Sequence, residues 1–318
     1  MHRVPKPEVS IVITTRDRFE MIGRAVESAS DQTVQDLEVV VVDDGSIPAV
    51  ELGRSDPRVS IVRLSEPRGV CAARNAGLAR ARAEWIVFLD DDDELLPDMV
   101  EASLQAAASS DLPPPIAILS CVRVEDEGGH VVDLRCPPSA LPRGSHWFLD
   151  GKGEGRFRSE RTLLAPVDVV RSIGGFDERF KAMEDRDFFL RLNAVCSLQG
   201  MQRETYRAVL HGGPKLLSQP LARAEGLDLT LRKHADLIGR DRVRHARMLG
   251  TMAIGYLLGG RWGLAIRSSA AAVARDPLHG RHYLQLGICL AGRRVFLLGS
   301  WVRRTLRRRP GLASSVRH

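Results

Sequence analysis

The 318-residue sequence predicts an α/β fold, a mostly parallel sheet flanked by helices, with an appended C-terminal helical region. Three observations predict it. The strand-like runs of the first ninety or so residues are apolar throughout, as strands buried on both faces must be. Segments of helical spacing separate them, as crossover connections require. Several of the runs end in polar, acid-rich clusters, and the carboxyl edge of an open α/β sheet is where such proteins hold ligands.

Taken in order, VSIVIT at 9–14 is the first strand, residues 21–30 a helix, and LEVVVVDDGS at 37–46 a β-branched strand ending in acid and glycine. VSIVRL at 59–64 is a third strand, GVCAARNAGLARARA at 69–83 an alanine-rich helix, and WIVFL at 85–89 a fourth strand that runs directly into DDDDE. Three strands therefore exit into TTRDR, DDGS and DDDDE, which places the chemistry along one edge of one sheet. Four acidic residues in a row repel one another by about a kcal/mol for each close exposed pair. Such a run is either a solvated acidic turn that also opens the next helix, or a site for something positive.

Further along, PPP at 113–115 is a loop, AILSCVRV at 117–124 with HVVDL at 130–134 a hairpin, and the Pro- and Gly-rich stretch 137–157 a long loop of the kind that tends to be functional. TLLAPV at 162–167 is strand-like and leads into a short helix. In GGFDERFKAMEDRDFFLRLN the acids Glu184, Asp185 and Asp187 open a helix that turns Phe188, Phe189 and Leu192 inward. Beyond about residue 220 the pattern is helical only, with small residues at spacings that suit close helix packing. LGGRWGLAIRSSAAAVARDP resembles half of a tetratricopeptide hairpin, and one such unit does not bury its own face. The expected domains are 1–220 and 221–318.

Composition excludes a disordered tail and a fibre. Five cysteines, at 71, 121, 136, 196 and 289, are odd in number and lack CxxC spacing, so they read as reduced thiols of a cytoplasmic protein. The segment MHRVPKPEVS has no apolar core of signal-peptide length, and no apolar stretch approaches the roughly 20 residues of a membrane span. The net charge of +6 is uneven, because RRVFLLGSWVRRTLRRRP concentrates arginine near the end. Residues 293–309 accordingly suggest an anionic membrane surface and a peripheral position at its inner face. Nucleic acid is not expected, since no stacking platform is interleaved with the charge.

VSIVITTRDR, EVVVVDDGS, GVCAARNAG and WIVFLDDDDELLPD, in this order and spacing, resemble the N-terminal nucleotide-sugar-binding half of the family 2 glycosyltransferases, which have the GT-A fold. IGGFDERFKAMEDRDFFLRL resembles that family's acceptor-side segment. The resemblance covers roughly residues 8–215 and implies an inverting, metal-dependent glycosyltransferase. Its donor would be a nucleotide sugar, a UDP-sugar above others, and its acceptor a hydroxyl on a glycan, a lipid-linked sugar or a small molecule. Mg2+ or Mn2+ is the implied cofactor, since a hard cation with one or two carboxylates stabilises a leaving diphosphate.

By resemblance to the DXD-type motif, Asp92 contacts the metal. Asp90 is a second ligand or, with Asp91, faces the ribose or a metal-bound water. Asp44 takes the base edge with Asp43 in support. Thr14 and Arg16 help to enclose the nucleotide, although TTRDR stands where PTYNR is frequent. Arg74 and Asn75 face the nucleotide pocket, with Arg74 placed to pair with phosphate. Asp185 matches the family's general base, Glu184 orients it, and His211 resembles a histidine near the metal or diphosphate. The bland readings are a turn for Asp43 and Asp44, a surface helical arginine for Arg74 and helix-dipole acids for Glu184 and Asp185. Two other functions compete. A sugar nucleotidyltransferase would want a glycine-rich loop after the first strand, and TTRDRFE has none. A catalytically degenerate, partner-binding relative would not need both acidic motifs. The QxxRW signature of processive synthases is absent.

Overall fold

The computed structural model describes residues 6–53, 55–145, 162–210 and 219–291. Its chain divides into two compact units, Met1–Gly213 and Pro214–His318.

In the first unit, ten strands among the described residues form one sheet in the order β3-β2-β1-β4-β9-β6-β10-β5, with β7 beside β6 and β8 beside β10. The strands are β1 (Val9–Thr15), β2 (Leu37–Asp43), β3 (Val59–Arg63), β4 (Trp85–Asp90), β5 (Asp93–Leu95), β6 (Ile116–Glu125), β7 (Val131–Arg135), β8 (Ala140–Leu141), β9 (Leu164–Pro166) and β10 (Ser197–Val209). β3, β2, β1 and β4 pair in parallel, as do β6 and β10. β9 lies antiparallel to both β4 and β6, so all six of these strands point the same way while β5, β7, β8 and β9 oppose them. The parallel half is the α/β arrangement expected from the apolar runs.

Both faces of that half are covered, which is why its strands carry no polar alternation. Ile11, Ile13, Val39, Val41, Val87 and Leu89 form a core with Ile22, Ala25 and Ala29 of helix α1 (Phe19–Ser30). Each such aliphatic side chain contributes about 1.5–3 kcal/mol when fully buried. On the other face α2 (Val70–Arg80) lies so close to β1 that a Cβ at Gly77 would sit 2.2 Å from Val12 Cγ1. Three more helices follow, α3 (Met99–Ala108), α4 (Val167–Ser172) and α5 (Glu184–Val195). Phe188 and Phe189 of α5 are buried, as its sequence pattern predicts. Phe176 stacks on Phe188 at 4.3 Å and meets Phe88 of β4 edge-on at 5.1 Å, so α5 is anchored to the strand that leads into the acidic run.

The second unit is helical: α6 (Pro220–Lys233), α7 (Ala235–Ile238), α8 (Arg242–Leu258), α9 (Trp262–Arg275) and α10 (Gly280–Ala291). Helix α8 packs against α6 and α9, and α9 against α10. Small residues line these contacts, with Ala224, Ala246, Ala253, Ala265, Ser269 and Ala272 all buried. The Asp241 carboxylate accepts the Arg244 amide at 2.9 Å and caps α8.

One reading is corrected. The cysteines are not all reduced thiols: Cys121 and Cys136 form a disulfide, while Cys71, Cys196 and Cys289 are free and buried. The cause is register. β6 and β7 pair antiparallel with Val122 opposite Arg135, which brings the next residues along each strand to a Cα separation of 4.1 Å. Nothing in a spacing of 15 residues announces that pairing. Strand β10, with 13 residues the longest in the sheet, has no counterpart among the predicted elements. His211, the basic segment 293–309 and residues 146–161 of the long loop lie outside the described residues. Among the described residues no helix is long and apolar enough to cross a membrane.

Candidate active site

The site is built where β1, β2 and β4 end. After Thr15 the chain bends at Asp17, whose φ of 54° lies in the left-handed region that Asp tolerates better than most residues. The Asp17 amide donates to Ser46 Oγ at 3.0 Å, and Asp17 Oδ1 accepts the Ile47 amide at 3.0 Å. These two bonds tie the TTRDR and DDGS loops together.

Within DDGS, both acids serve the backbone. Asp43 accepts the amides of Ser46 at 2.8 Å and Val50 at 3.1 Å. Its burial acts to raise its pKa, but the Ser46 hydroxyl and these amides outweigh burial and leave it below the ordinary value of 3.8. Asp44 receives the amides of Arg68 at 2.7 Å and Gly69 at 2.8 Å, one on each oxygen, and so fixes the entry to α2. Each Asp44 oxygen keeps a second lone pair.

The acidic run divides. β4 ends at Asp90, the chain turns through Asp91 and Asp92, and Asp93 starts β5 against β10. Asp91 points back into the sheet, where its carboxylate accepts Thr15 Oγ1 at 2.6 Å and Arg18 Nη1 at 2.8 Å. Burial pushes the Asp91 carboxyl up to about 6 against those two partners. Asp90, Asp92 and Asp93 form a separate group whose ligand oxygens all lie within 4.8 Å of one another. Arg18 also reaches Asp92 Oδ2 at 3.2 Å, and the buried Tyr206 of β10 donates its hydroxyl to Asp93 Oδ2 at 2.9 Å. Three hard oxygen donors, with Asp90 and Asp92 partly open to solvent, suit Mg2+ or Mn2+, which keep waters and share phosphate oxygens.

Arg74 joins this group to the acceptor-side motif. It is only 5% exposed, so it is no surface arginine. Nη2 donates to Asp90 Oδ1 at 3.0 Å, and Nη1 lies 3.4 Å from Glu184 Oε1 and 3.6 Å from Asp185 Oδ1. The guanidinium carbon stands 5.1 Å from the centre of the Phe176 ring, a cation–π distance. Glu184 and Asp185 occupy the first turn of α5, entered through Met183 at a left-handed φ of 68°. Cys71, one turn before Arg74, is no nucleophile: burial first, then the nearby Glu184 charge, push its thiol up to about 12.

Other expected residues sit elsewhere. Asn75 is turned to the backbone of Phe176, accepting its amide and donating to its carbonyl, both at 2.8 Å. That contact requires glycine at 175, where φ is +63° and a Cβ would come within 2.5 Å of Asn75 Oδ1. Thr14 lies opposite Asp90 in the β1–β4 register, whereas Arg16 is exposed and paired with Asp17 at 3.4 Å. The side chains of the first exit loop that touch the acids are Thr15 and Arg18, which sequence reasoning passed over together with Asp93 and Tyr206. A second threonine and a second basic residue in TTRDR were the available signal. Tyr206 had none, because its strand was not foreseen.

Comparison with known proteins agrees with this architecture. The model of the family described as glycosyl transferase family 2 matches residues 10–159. The succinoglycan biosynthesis protein ExoO of Rhizobium meliloti (strain 1021) is 41% identical over 192 residues, 56% of this chain and 53% of that protein. The chondroitin synthase of Pasteurella multocida (strain Pm70) is 30% identical over 220 residues, 67% of this chain and 21% of that protein. The aligned segment thus spans about half of one relative and about a fifth of the other. The crystal structure of S. aureus TarS superposes with a TM-score of 0.58 at 18% identity, covering 85% of this chain and 49% of that one. Its 1–349 fragment in complex with UDP-GlcNAc gives 0.57 at 17% identity, covering 88% and 84%. The fold is therefore the GT-A fold, and residues 10–159 are similar to glycosyl transferase family 2.

Proposed function

We propose that the protein is an inverting glycosyltransferase that moves a sugar from a nucleotide-sugar donor to a hydroxyl acceptor. The observation that carries this reading is the Arg74 junction. Acids separated by more than ninety residues of sequence, Asp90 on one side and Glu184 and Asp185 on the other, meet one buried guanidinium. A site that must release a diphosphate and deprotonate an alcohol a few ångströms away needs such a meeting.

Asp90 and Asp92, with Asp93 beside them, would hold Mg2+ or Mn2+, which when bound supplies electrophilic stabilisation of the leaving diphosphate. Arg18 and Arg74 bring further positive charge to the same end. Asp185 takes the acceptor proton as the acceptor oxygen bonds to the anomeric carbon from the face opposite the diphosphate. The bond from that carbon to the phosphate oxygen breaks, and the electron pair leaves with the nucleoside diphosphate. Glu184 shares Arg74 with Asp185 and orients it. Thr14 and Arg16 flank the nucleotide, and the free lone pairs of Asp44 suit the imide N–H of uracil. The TarS fragment in complex with UDP-GlcNAc supports a UDP-sugar as the first donor to test.

The test is a panel of UDP-, GDP- and dTDP-sugars, each with and without Mn2+, read by thermal stabilisation and slow donor hydrolysis. UDP-sugars are expected to stabilise the protein only with the metal present. If no nucleotide sugar stabilises the protein or is hydrolysed, the enzyme reading is wrong.

A further inference from the structure

The helical unit carries a second cluster of ligating side chains that the transferase chemistry does not use. Helix α9 ends at Arg275 with Asp276 as its C-cap, and the turn DPLH leads into α10, whose first turn carries His282. His282 is 1% exposed, and its Nε2 has no hydrogen-bond partner. Asp276 Oδ2 is likewise buried without one. These two atoms face each other at 3.6 Å, too far for a hydrogen bond. His279 Nδ1 approaches the same carboxylate oxygen at 3.8 Å.

Two buried polar atoms that face each other without a hydrogen bond need another partner, because an unsatisfied buried polar atom costs roughly 1–3 kcal/mol. Where both present lone pairs, that partner must be positive or a donor. A cation between them removes the difficulty. Zinc bonds of about 2.0–2.2 Å at tetrahedral angles put ligand atoms roughly 3.3–3.5 Å apart. The observed separations of 3.6 and 3.8 Å are close to that. Gln285, one turn beyond His282, stands with Oε1 3.4 Å from His282 Nδ1. A carboxamide oxygen there selects the tautomer with hydrogen on Nδ1, so that Nε2 carries the lone pair directed at Asp276. The two histidines each approach the Asp276 oxygen, but the three ligand atoms do not all lie within 4.8 Å of one another. His279 is half exposed, so completing the set requires its ring to turn toward the ion from the solvent side.

We propose that Asp276, His279 and His282 form a binding site for a borderline transition-metal ion, zinc foremost, at the α9–α10 turn. It differs in kind from the all-carboxylate group at Asp90, Asp92 and Asp93, because imidazole favours zinc over magnesium or calcium. Three protein ligands leave the fourth position to water. When bound, the ion ties the end of α9 to the first turn of α10, so its effect is on the stability of this helix pair.

The test uses the full chain, stripped with chelator and titrated with Zn2+ or Co2+ in excess Mg2+, which occupies the carboxylate group. One ion per chain is expected, with a visible d–d band for Co2+ and a rise in melting temperature. His279→Ala, at the half-exposed position, should weaken binding more than about tenfold without unfolding the protein, and Gln285→Ala about tenfold or more. His282→Ala should abolish the Co2+ band, and Asp92→Asn should leave it unchanged. No retained ion in wild type, or undiminished binding in His279→Ala, overturns the site. Binding lost only in His282→Ala together with its helical signal does so as well.

Discussion

The exit loops of β2 and β4 both present paired acids, yet they dispose of the charge in opposite ways. Asp43 and Asp44 deliver their carboxylates to backbone amides of Ser46, Val50, Arg68 and Gly69. Asp90 and Asp92 meet arginine side chains, and Asp93 meets a tyrosine hydroxyl. An amide dipole fixes a loop and leaves the carboxylate charge in place. A guanidinium neutralises charge and can exchange its partner for another anion. The first loop is therefore a frame, and the second is the part of the site in which charge can be redistributed, as the proposed binding of a metal and a diphosphate would require.

Substitutions that break this contrast should differ in size and in response to metal. Arg74→Met removes the shared counter-charge of three acids and is expected to destabilise by about 3–5 kcal/mol, the cost of leaving buried charge uncompensated. Mn2+ should recover part of that loss, so the metal-induced rise in melting temperature becomes larger in the variant than in wild type. An equal rise in both would separate Arg74 from the metal group.

Asp43→Asn is expected to cost about 1–3 kcal/mol with no change in metal response, because an amide cannot accept from two backbone N–H groups on both of its atoms. The pH dependence has a fixed sign. The folded-state pKa of Asp43 lies below its ordinary value of 3.8, so its stabilisation is complete above that value and is lost as pH falls through the folded one. The gap between wild type and variant, followed by denaturant unfolding from pH 6 to pH 3, should narrow at the acid end. Tyr206→Phe is the smallest change, about 1 kcal/mol in stability, with Mn2+ affinity lowered severalfold because Asp93 loses an orienting donor. Titration calorimetry reads the second effect, and unchanged Mn2+ affinity would make Asp93 structural.

Much of this was legible in the sequence because the parallel half of the sheet follows rules of short range. Apolar β-branched runs between helices gave β1 to β4, and the acids after them marked the ligand edge. The rest depended on distant contacts. β10 reads as SLQGMQRETYRAV, where charged residues alternate irregularly and its pairing with β6 shifts register between Gly200 and Tyr206, so no period-2 pattern survives. Four identical neighbours hide which acid turns inward. The turn at Asp91–Asp92 breaks strand alternation and gathers Asp93 with Asp90 and Asp92, while Asp91 returns to Thr15. The Cys121–Cys136 bond is likewise a consequence of hairpin register. Arg74 stood out as a residue, but its role as a bridge between two motifs exists only once the chain is folded.

In the proposed mechanism the acidic run serves the donor and the α5 acids serve the proton, with Arg74 between them. The most direct measurement compares Asp92→Asn with Asp185→Asn for Mn2+-dependent binding of a UDP-sugar and, in parallel, for turnover. Asp185→Asn should bind the donor within about twofold of wild type yet lose about 10²–10⁴ in turnover, the usual range for a general base. Asp92→Asn should lose the metal-dependent part of donor binding. Equal loss of donor affinity in the two variants would contradict this division of labour between the acidic run and the α5 acids.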